Sequence, residues 1–250
     1  MICDKFEVLE GELFHVHTFR CKHAEEVSDE AYIKRAIEMG APRITFTDHA
    51  PFPGDPFRRR MDYAQLPEYI ATLSELRTKY EGAIEVRFGL ECEYLPSFKS
   101  YYEDLRGMDL YPLIIGQHFA EIAPGQYSFQ LEDKKYKKQI TGRVEMEAIA
   151  EGAATGIFAC AAHPDRSFSY HKKFDETVER ISREFVEAVV PTGIALEYNL
   201  GSFRESRLHK KEFWGLVPDS VNVVMGTDAH AVAELDRLSE HEYGEWRDSE

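Results

Sequence analysis

Seven of the ten histidines lie in short segments, most of which end an apolar, strand-like run of the chain. The segments are His15-Val16-His17, Cys21-Lys22-His23, Asp48-His49, Gln117-His118, Ala162-His163 and Asp228-Ala229-His230. An acidic segment with Glu91 and Glu93 lies between them along the chain. Imidazole and carboxylate groups are the usual protein ligands of zinc, manganese and iron. The residue types and their positions therefore predict metal chemistry, although any single histidine could equally be a hydrogen-bonded core residue.

The predicted ligands are too many for a single ion. They are His15, His17, His23, His49, Glu91, His118, His163, Asp228 and His230. Nine ligands exceed the needs of one four- to six-coordinate ion, so we expect two or three divalent ions of zinc, manganese or iron, with Glu91 as a bridge. Clustered cations polarise phosphoryl oxygens and lower the pKa of bound water, which favours hydrolytic chemistry.

The elements that position these residues alternate between strands and helices. Strands are predicted at 12–17, 43–47, 85–90, 113–116, 157–162, 194–198 and 222–226. His15 and His17 are two residues apart in the first predicted strand, so their side chains are expected to point to the same face. Helices are predicted at 28–39, 65–80, 142–155 and 174–190. This order indicates a parallel sheet with right-handed crossovers. An open sheet concentrates its site at one switch point, whereas ligands after six or seven strands favour a closed barrel. We therefore predict one domain, 1–250, folded as a distorted (β/α)7 TIM-like barrel with its metal site at the C-terminal ends of the strands.

Two connections are longer than the barrel requires. Residues 50–63 are rich in proline and arginine, and residues 119–140 carry aromatic side chains and a lysine cluster. Long loops over the mouth of a barrel usually cover the substrate. We expect the lysines to form a solvated helix face. The three histidines outside the strand-end segments, His171, His209 and His241, are likewise expected to be surface residues.

Composition excludes several function classes. The net charge of −15 argues against nucleic acid as a partner, because phosphate backbones need a basic face. No apolar run approaches the roughly 18 residues of a membrane span, and the first residues show no signal-peptide pattern. Four cysteines without framework spacing suit reduced thiols, and Cys21 and Cys92 are expected to be buried fillers. These features predict a cytoplasmic protein, as a monomer or a homo-oligomer.

The motifs resemble those of the polymerase and histidinol phosphatase (PHP) family, most closely its histidinol-phosphate phosphatase branch. The resemblance covers nearly the whole chain, from His15 to His230. It rests on the segments 15–17, 21–25, 46–51, 60–61 with 66–69, 89–91, 116–118 and 226–230. The chain departs from the family pattern at Leu13, where an acid often stands, at Ala162, and in the short segment after His230.

The resemblance implies a trinuclear metal site. His15, His17, Glu91 and Asp228 would hold the first ion, and Glu91, His118 and His163 the second. His23, His49 and His230 would hold the third.

The expected activity is hydrolysis of a small phosphorylated substrate, L-histidinol phosphate. Glu91 and Asp228 are the predicted catalytic residues, with Asp228 accepting the proton of the attacking water. Arg60, Arg166 and Arg204 are predicted to bind the phosphate, because guanidinium offers a bidentate fork. Two alternatives stay open: a PHP phosphoesterase for another phosphomonoester or phosphotyrosine, and a metal-binding regulatory module without turnover. Amidohydrolase chemistry is disfavoured, since neither a bridging lysine nor its histidine order is evident.

Overall fold

Seven parallel strands form the centre of the protein, which is seen in a computed structural model that describes residues 6–205 and 208–235. In their order across the sheet, the strands are β1 (Leu13–Val16), β2 (Arg43–His49), β3 (Glu85–Cys92), β4 (Leu113–Gly116), β7 (Cys160–Ala162), β8 (Ala195–Asn199) and β9 (Val223–Gly226). The short strands β5 and β6 form a separate hairpin, described below. Every neighbouring pair is parallel, as the alternation of elements predicts.

The sheet closes into a barrel through the segment that follows β9. Thr227 N donates to Phe14 O at 2.8 Å, Ala229 N to His15 O at 3.2 Å, and His17 N to Ala229 O at 2.9 Å. A register shift in β1 between Phe14 and Val16 distorts the barrel at this seam. The predicted distorted (β/α)7 barrel is therefore confirmed.

Helices surround the barrel in the crossover connections. They are α1 (Asp29–Glu38), α2 (Leu66–Lys79), α3 (Lys99–Arg106), α4 (Lys134–Ala154), α5 (Glu176–Val189), α6 (Leu200–Arg204) and α7 (Lys211–Trp214). The most regular is α5, where Asp175 caps the first turn and Val178, Ile181, Phe185 and Val189 are buried at helical spacing. Among the described residues, no helix combines the length and the apolarity needed to cross a membrane.

Several predicted bounds were wrong. Strands β2 and β3 each run two residues further than predicted, because pairing continues through His49 and Glu91. Helix α4 begins at Lys134 rather than at 142, since Asp133 caps it by accepting from the backbone N–H of Lys135 and Tyr136. The lysine cluster therefore lies in the first turns of this helix. A small hairpin of β5 (Glu121–Ala123) and β6 (Gln126–Tyr127) occupies the rest of the loop, and sequence periodicity missed both the hairpin and α3.

Candidate metal centre and its cleft

All nine predicted metal ligands meet at the C-terminal ends of the barrel strands, and three of them have an unusual backbone. His15, His163 and Asp228 have φ angles of 66°, 33° and 51°. Non-glycine residues seldom adopt this left-handed region, and those that do cluster at functional sites. At His15 the left-handed conformation breaks strand alternation. The prediction that His15 and His17 share a face of a regular strand was wrong, although both side chains do reach the site.

Glu91 lies at the centre of the cluster, on β3. Its Oε1 is 2.8 Å from His163 Nε2 and 3.6 Å from His15 Nε2. Its Oε2 is 2.8 Å from His49 Nδ1 and 3.6 Å from His17 Nε2. The carboxylate is almost completely buried. Each oxygen thus faces two imidazoles, which is the arrangement that a bridging ligand requires.

Asp228 forms the opposite side of the cluster, after β9. Its Oδ1 lies 3.3 Å from His17 Nε2, 3.7 Å from His15 Nε2 and 3.6 Å from His230 Nδ1. All three distances are longer than an ordinary hydrogen bond between nitrogen and oxygen. The side chains therefore surround a common space around Asp228 Oδ1 instead of pairing with one another.

The remaining histidines extend the cluster toward solvent. The His17 ring stacks on that of His230 with centroids 4.2 Å apart, and the rings of His23 and His230 are 4.6 Å apart. On the other side, His118 lies between His49 and His163, with both centroid distances at 5.1 Å. The buried end of the cluster therefore holds Glu91, and the open end holds His23.

The donor set fits divalent cations. The Nε2 atoms of His15, His17 and His230 are buried and have no hydrogen-bond partner. Leaving one buried polar atom unsatisfied costs about 1–3 kcal/mol, so three in one place point to a missing ligand. Groups such as His15, Glu91 and His163, or His15, His17 and Asp228, place their ligand atoms within 4.8 Å of one another. The residues could therefore bind metal ions.

Four of the ligands have pKa shifts that suit metal ions, whereas the pKa of His15, which burial lowers, is raised overall by Glu197, Glu91 and Asp228. Burial raises the pKa of Glu91 and of Asp228, but the surrounding histidines outweigh burial and hold both well below their ordinary values. Burial lowers the pKa of His17, and His230 and His49 lower it further; burial also lowers the pKa of His49, to about 4. Ionised carboxylates and neutral imidazoles are the forms that bind metals.

Two glycines on neighbouring strands make room for the buried acids. A Cβ atom at Gly116 would lie 1.7 Å from Glu91 Oε1, and one at Gly226 would lie 1.6 Å from Glu197 Oε1. Any larger residue would displace a carboxylate. This explains why glycine stands two residues before His118 and two before Asp228.

Glu197 supports a proposed ligand histidine, and sequence reasoning missed it. It lies on β8, is fully buried, and accepts from His15 Nδ1 at 2.7 Å. A charged residue inside the apolar run 194–198 was the available signal, since buried charges need a partner. Carboxylates that hold the outer nitrogen of a ligand histidine are common at metal sites.

Asp48 also supports the cluster, through hydrogen bonds to Thr18. Because β2 continues to His49, Asp48 is buried, and its carboxylate accepts from Thr18 N at 2.9 Å and from Thr18 Oγ1 at 2.5 Å. Arg20 donates to the same hydroxyl at 3.1 Å and pairs with Asp29. This buried network fixes the chain directly after His17.

Arg60 lines the cleft described below, but most of its donors are used within the protein. Its guanidinium is buried and donates to Glu93 Oε2 at 2.7 Å, to Glu93 Oε1 at 3.1 Å, to Ala50 O at 3.1 Å and, through Nε, to Arg58 O at 3.3 Å. Four of its five N–H groups are therefore used. Glu93 also accepts from His118 Nδ1 at 3.2 Å, so Arg60 holds a ligand histidine through Glu93.

A cleft of about 630 Å³ opens above the cluster. Arg166 lines it, with Nη1 3.6 Å from Asp228 Oδ2. Arg59 also lines the cleft, and its backbone is left-handed with φ 58°. The sequence analysis did not select Arg59, because its neighbour Arg60 has the same side-chain chemistry. Arg204, in α6, is exposed and lies outside the described lining.

Two further histidines differ from expectation. His209 was predicted to lie on the surface, but its side chain is only 15 % exposed and its Nδ1 is 3.2 Å from the buried Asp165. His171, also predicted at the surface, is half-buried. His241 and the short segment after 235 lie outside the described residues.

The model of the PHP domain family matches residues 14–200. A protein of Bacillus subtilis named histidinol-phosphatase is 25% identical over 251 residues, which cover 88% of this chain and 94% of the relative. A Deinococcus radiodurans protein named "Probable histidinol-phosphatase" is 28% identical over 234 residues, covering 88% of this chain and 86% of that one.

Solved structures share the fold. A crystal structure of histidinol phosphate phosphatase from Lactococcus lactis, complexed with zinc, L-histidinol and phosphate, superposes with a TM-score of 0.70. It is 20% identical, and the match covers 97% of this chain and 93% of that one. At this identity the likeness concerns the fold.

The chain belongs to the PHP family, and its barrel carries that family's histidine and carboxylate motifs in order. Within that family it is an enzyme, a phosphatase.

Proposed function

We propose that the protein is a metal-dependent histidinol-phosphate phosphatase, which hydrolyses L-histidinol phosphate to L-histidinol and phosphate. The observation that carries the proposal is the convergence of seven histidines with Glu91 and Asp228, in which three buried Nε2 atoms have no partner. The names of the relatives support the choice of substrate.

The cluster would hold two or three divalent ions of zinc, manganese or iron. Glu91 would bridge between one ion on His15, His17 and Asp228 and another on His118 and His163, and His23, His49 and His230 would hold a third. When bound, such ions polarise a phosphoryl oxygen and lower the pKa of bound water.

Asp228 is the proposed proton acceptor. Its carboxylate lies in the space where His15, His17 and His230 converge, and from there it can receive the proton of the attacking water. Arg166 is the arginine best placed for the phosphate, because it lines the cleft 3.6 Å from Asp228. We do not propose that role for Arg60, whose donors are occupied, or for Arg204.

The organic part of the substrate would lie against an aromatic wall. Phe57, Phe119 and Phe129 line the cleft, and Phe129 is 45% exposed although it stacks on Tyr127. Flat aromatic rings such as imidazole pack well against such a wall, by offset or edge contacts. This wall supports histidinol phosphate over aliphatic phosphomonoesters.

The test is phosphate release from L-histidinol phosphate by protein purified without chelator, beside a panel with glycerol phosphate, phosphotyrosine and a sugar phosphate. We expect kcat/KM of about 10⁴ M⁻¹s⁻¹ or more for histidinol phosphate, well above the panel. Asp228→Asn should lose at least about 100-fold in kcat, the lower range for general base catalysis. Asp219→Asn, an exposed acid outside the cleft, is the matched control.

Turnover spread evenly over the panel would reject the substrate and leave a PHP phosphatase of another purpose. A metal-loaded protein that releases phosphate from none of these esters would reject hydrolysis of these substrates and favour the regulatory module.

A further inference from the structure

Cys21 is a buried cysteine within the metal cluster. It ends a short 3-10 helix, Phe19–Cys21, four residues after His17. Its sulfur and the ring nitrogens of His23 and His230 all lie within 4.8 Å of one another. The sulfur forms a second group of this kind with His17 and Asp48. The first group borders the open end of the cluster, and the second is buried.

The local backbone fixes the position of the sulfur beside His23. Cys21 N donates to Thr18 O at 3.1 Å, and Lys22 then turns the chain with φ 64°. This turn brings His23 back toward Cys21, so that a ring nitrogen of His23 lies within 4.8 Å of the sulfur.

An independent observation places a ligand beside this sulfur. His17 is completely buried, and both of its ring nitrogens lack a hydrogen-bond partner, as does His230 Nε2. His23 Nδ1 donates to Cys21 O at 2.8 Å, so its Nε2 is left for another partner. The histidine nitrogens around Cys21 therefore lack partners that a cation would supply.

We propose that Cys21 is a thiolate ligand of the outermost metal ion, which it binds together with His23 and His230. The inference rests on the proposed metal-dependent function and adds to it a sulfur donor at one position. On binding, the S–H proton is released to solvent and a sulfur–metal bond replaces it, with no change in oxidation state.

A sulfur ligand has a consequence for metal choice. Thiolate is a soft donor that selects zinc over manganese, whereas carboxylates accept manganese readily. The position around Glu91 offers only nitrogen and oxygen ligands. The outer position should therefore retain zinc when the protein is prepared in excess manganese, while the inner positions exchange.

The test is the absorption spectrum of the cobalt(II)-loaded protein. We expect a near-ultraviolet thiolate-to-cobalt charge-transfer band in the wild type that Cys21→Ser abolishes and Cys160→Ser preserves. Cys160 is the matched control because it is equally buried, on β7. Cys21→Ser should also bind the outermost zinc at least 10-fold more weakly in chelator competition. Circular dichroism and thermal melts verify that both variants fold.

A measurement without any variant covers the case of a misfolded Cys21→Ser. X-ray absorption at the zinc edge of wild-type protein should show a sulfur neighbour at about 2.3 Å. Full cobalt occupancy with no charge-transfer band, a band that survives in Cys21→Ser, or zinc with only nitrogen and oxygen neighbours would overturn the proposal. In each of those cases phosphatase activity could still stand. Failure to bind any metal would instead defeat the proposed function itself.

Discussion

Oε1 of Glu197 lies 2.7 Å from Nδ1 of His15, and both side chains are fully buried. The other oxygen, Oε2, accepts from the backbone N–H of His163 at 3.1 Å and from Asn199 Nδ2 at 3.0 Å. One carboxylate therefore orients two proposed ligands that come from strands β1 and β7. Because its pairing occupies Nδ1, His15 presents Nε2 to the centre of the cluster.

Glu197→Ala should weaken metal binding by about 10–100-fold, the usual effect of losing a carboxylate behind a ligand histidine. Glu197→Gln keeps an oxygen for Nδ1 and should lose less. Chelator competition with zinc measures both. Equal metal affinity in Glu197→Ala and the wild type would show that Glu197 does not position His15. Glu187→Ala, an exposed acid on α5, serves as the control.

Gly116→Ala should abolish metal binding at Glu91, because the new Cβ would lie 1.7 Å from Glu91 Oε1. Overpacking in a core also costs typically 1–3 kcal/mol of stability. Gly215→Ala has 3.7 Å to its nearest neighbour atom and should be tolerated. Metal content and thermal unfolding of both variants check this. A Gly116→Ala protein that retains its full metal content would contradict the arrangement.

Arg60→Met should destabilise the fold by about 3–5 kcal/mol, since it removes the cation that pairs with the buried Glu93 carboxylate. Adding Glu93→Gln should recover most of the loss. Urea unfolding of the two single variants and the double variant gives the coupling between them. If Arg60 were instead a phosphate ligand, Arg60→Met would raise KM and leave the free energy of unfolding unchanged.

Stability should depend on the titration of Glu145. It is buried in α4, and burial raises its pKa well above the ordinary value, which Ser167 and Arg166 offset only in part. Because the folded state holds this proton more tightly than the unfolded state, stability should fall as pH rises above the unfolded pKa of about 4.3. Glu145→Gln cannot ionise and should escape this loss.

The relevant measurement is the free energy of unfolding between pH 4.5 and pH 8. Relative to Glu145→Gln, the wild type should lose at most about 1.4 kcal/mol per pH unit, the limit for one proton. Glu147→Gln, exposed on the same helix, should follow the wild type. Parallel curves for Glu145→Gln and the wild type would show that Glu145 stays ionised in the fold.

Much of the fold and of the cluster follows from local sequence patterns. Apolar runs followed by amphipathic helices predict parallel strands, and parallel strands end at one edge of the sheet. Side chains directly after those ends, such as His49 on β2, must then lie near one another. For this reason the nine proposed ligands could be named before the structure was known, and all nine do converge.

Support for the ligands was harder to predict. Glu197 and His15 are 182 residues apart, and nothing local in the sequence pairs them. The position of Arg60 was likewise decided by a distant residue, Glu93, which directly follows β3. A buried carboxylate such as that of Glu93 needs a cation as its partner. Backbone strain at His15 could not be foreseen either, because an L-residue adopts a positive φ only when surrounding contacts impose it.

The sequence by itself determined which side chains can bind metal and which edge of the barrel carries them, since both depend on residue type and strand order. Only the tertiary structure decided which nitrogen each histidine presents, which arginine is paired with a buried acid and which cysteine lies beside the ligands. Those choices depend on contacts between distant segments, because each polar group that is buried must find a partner there.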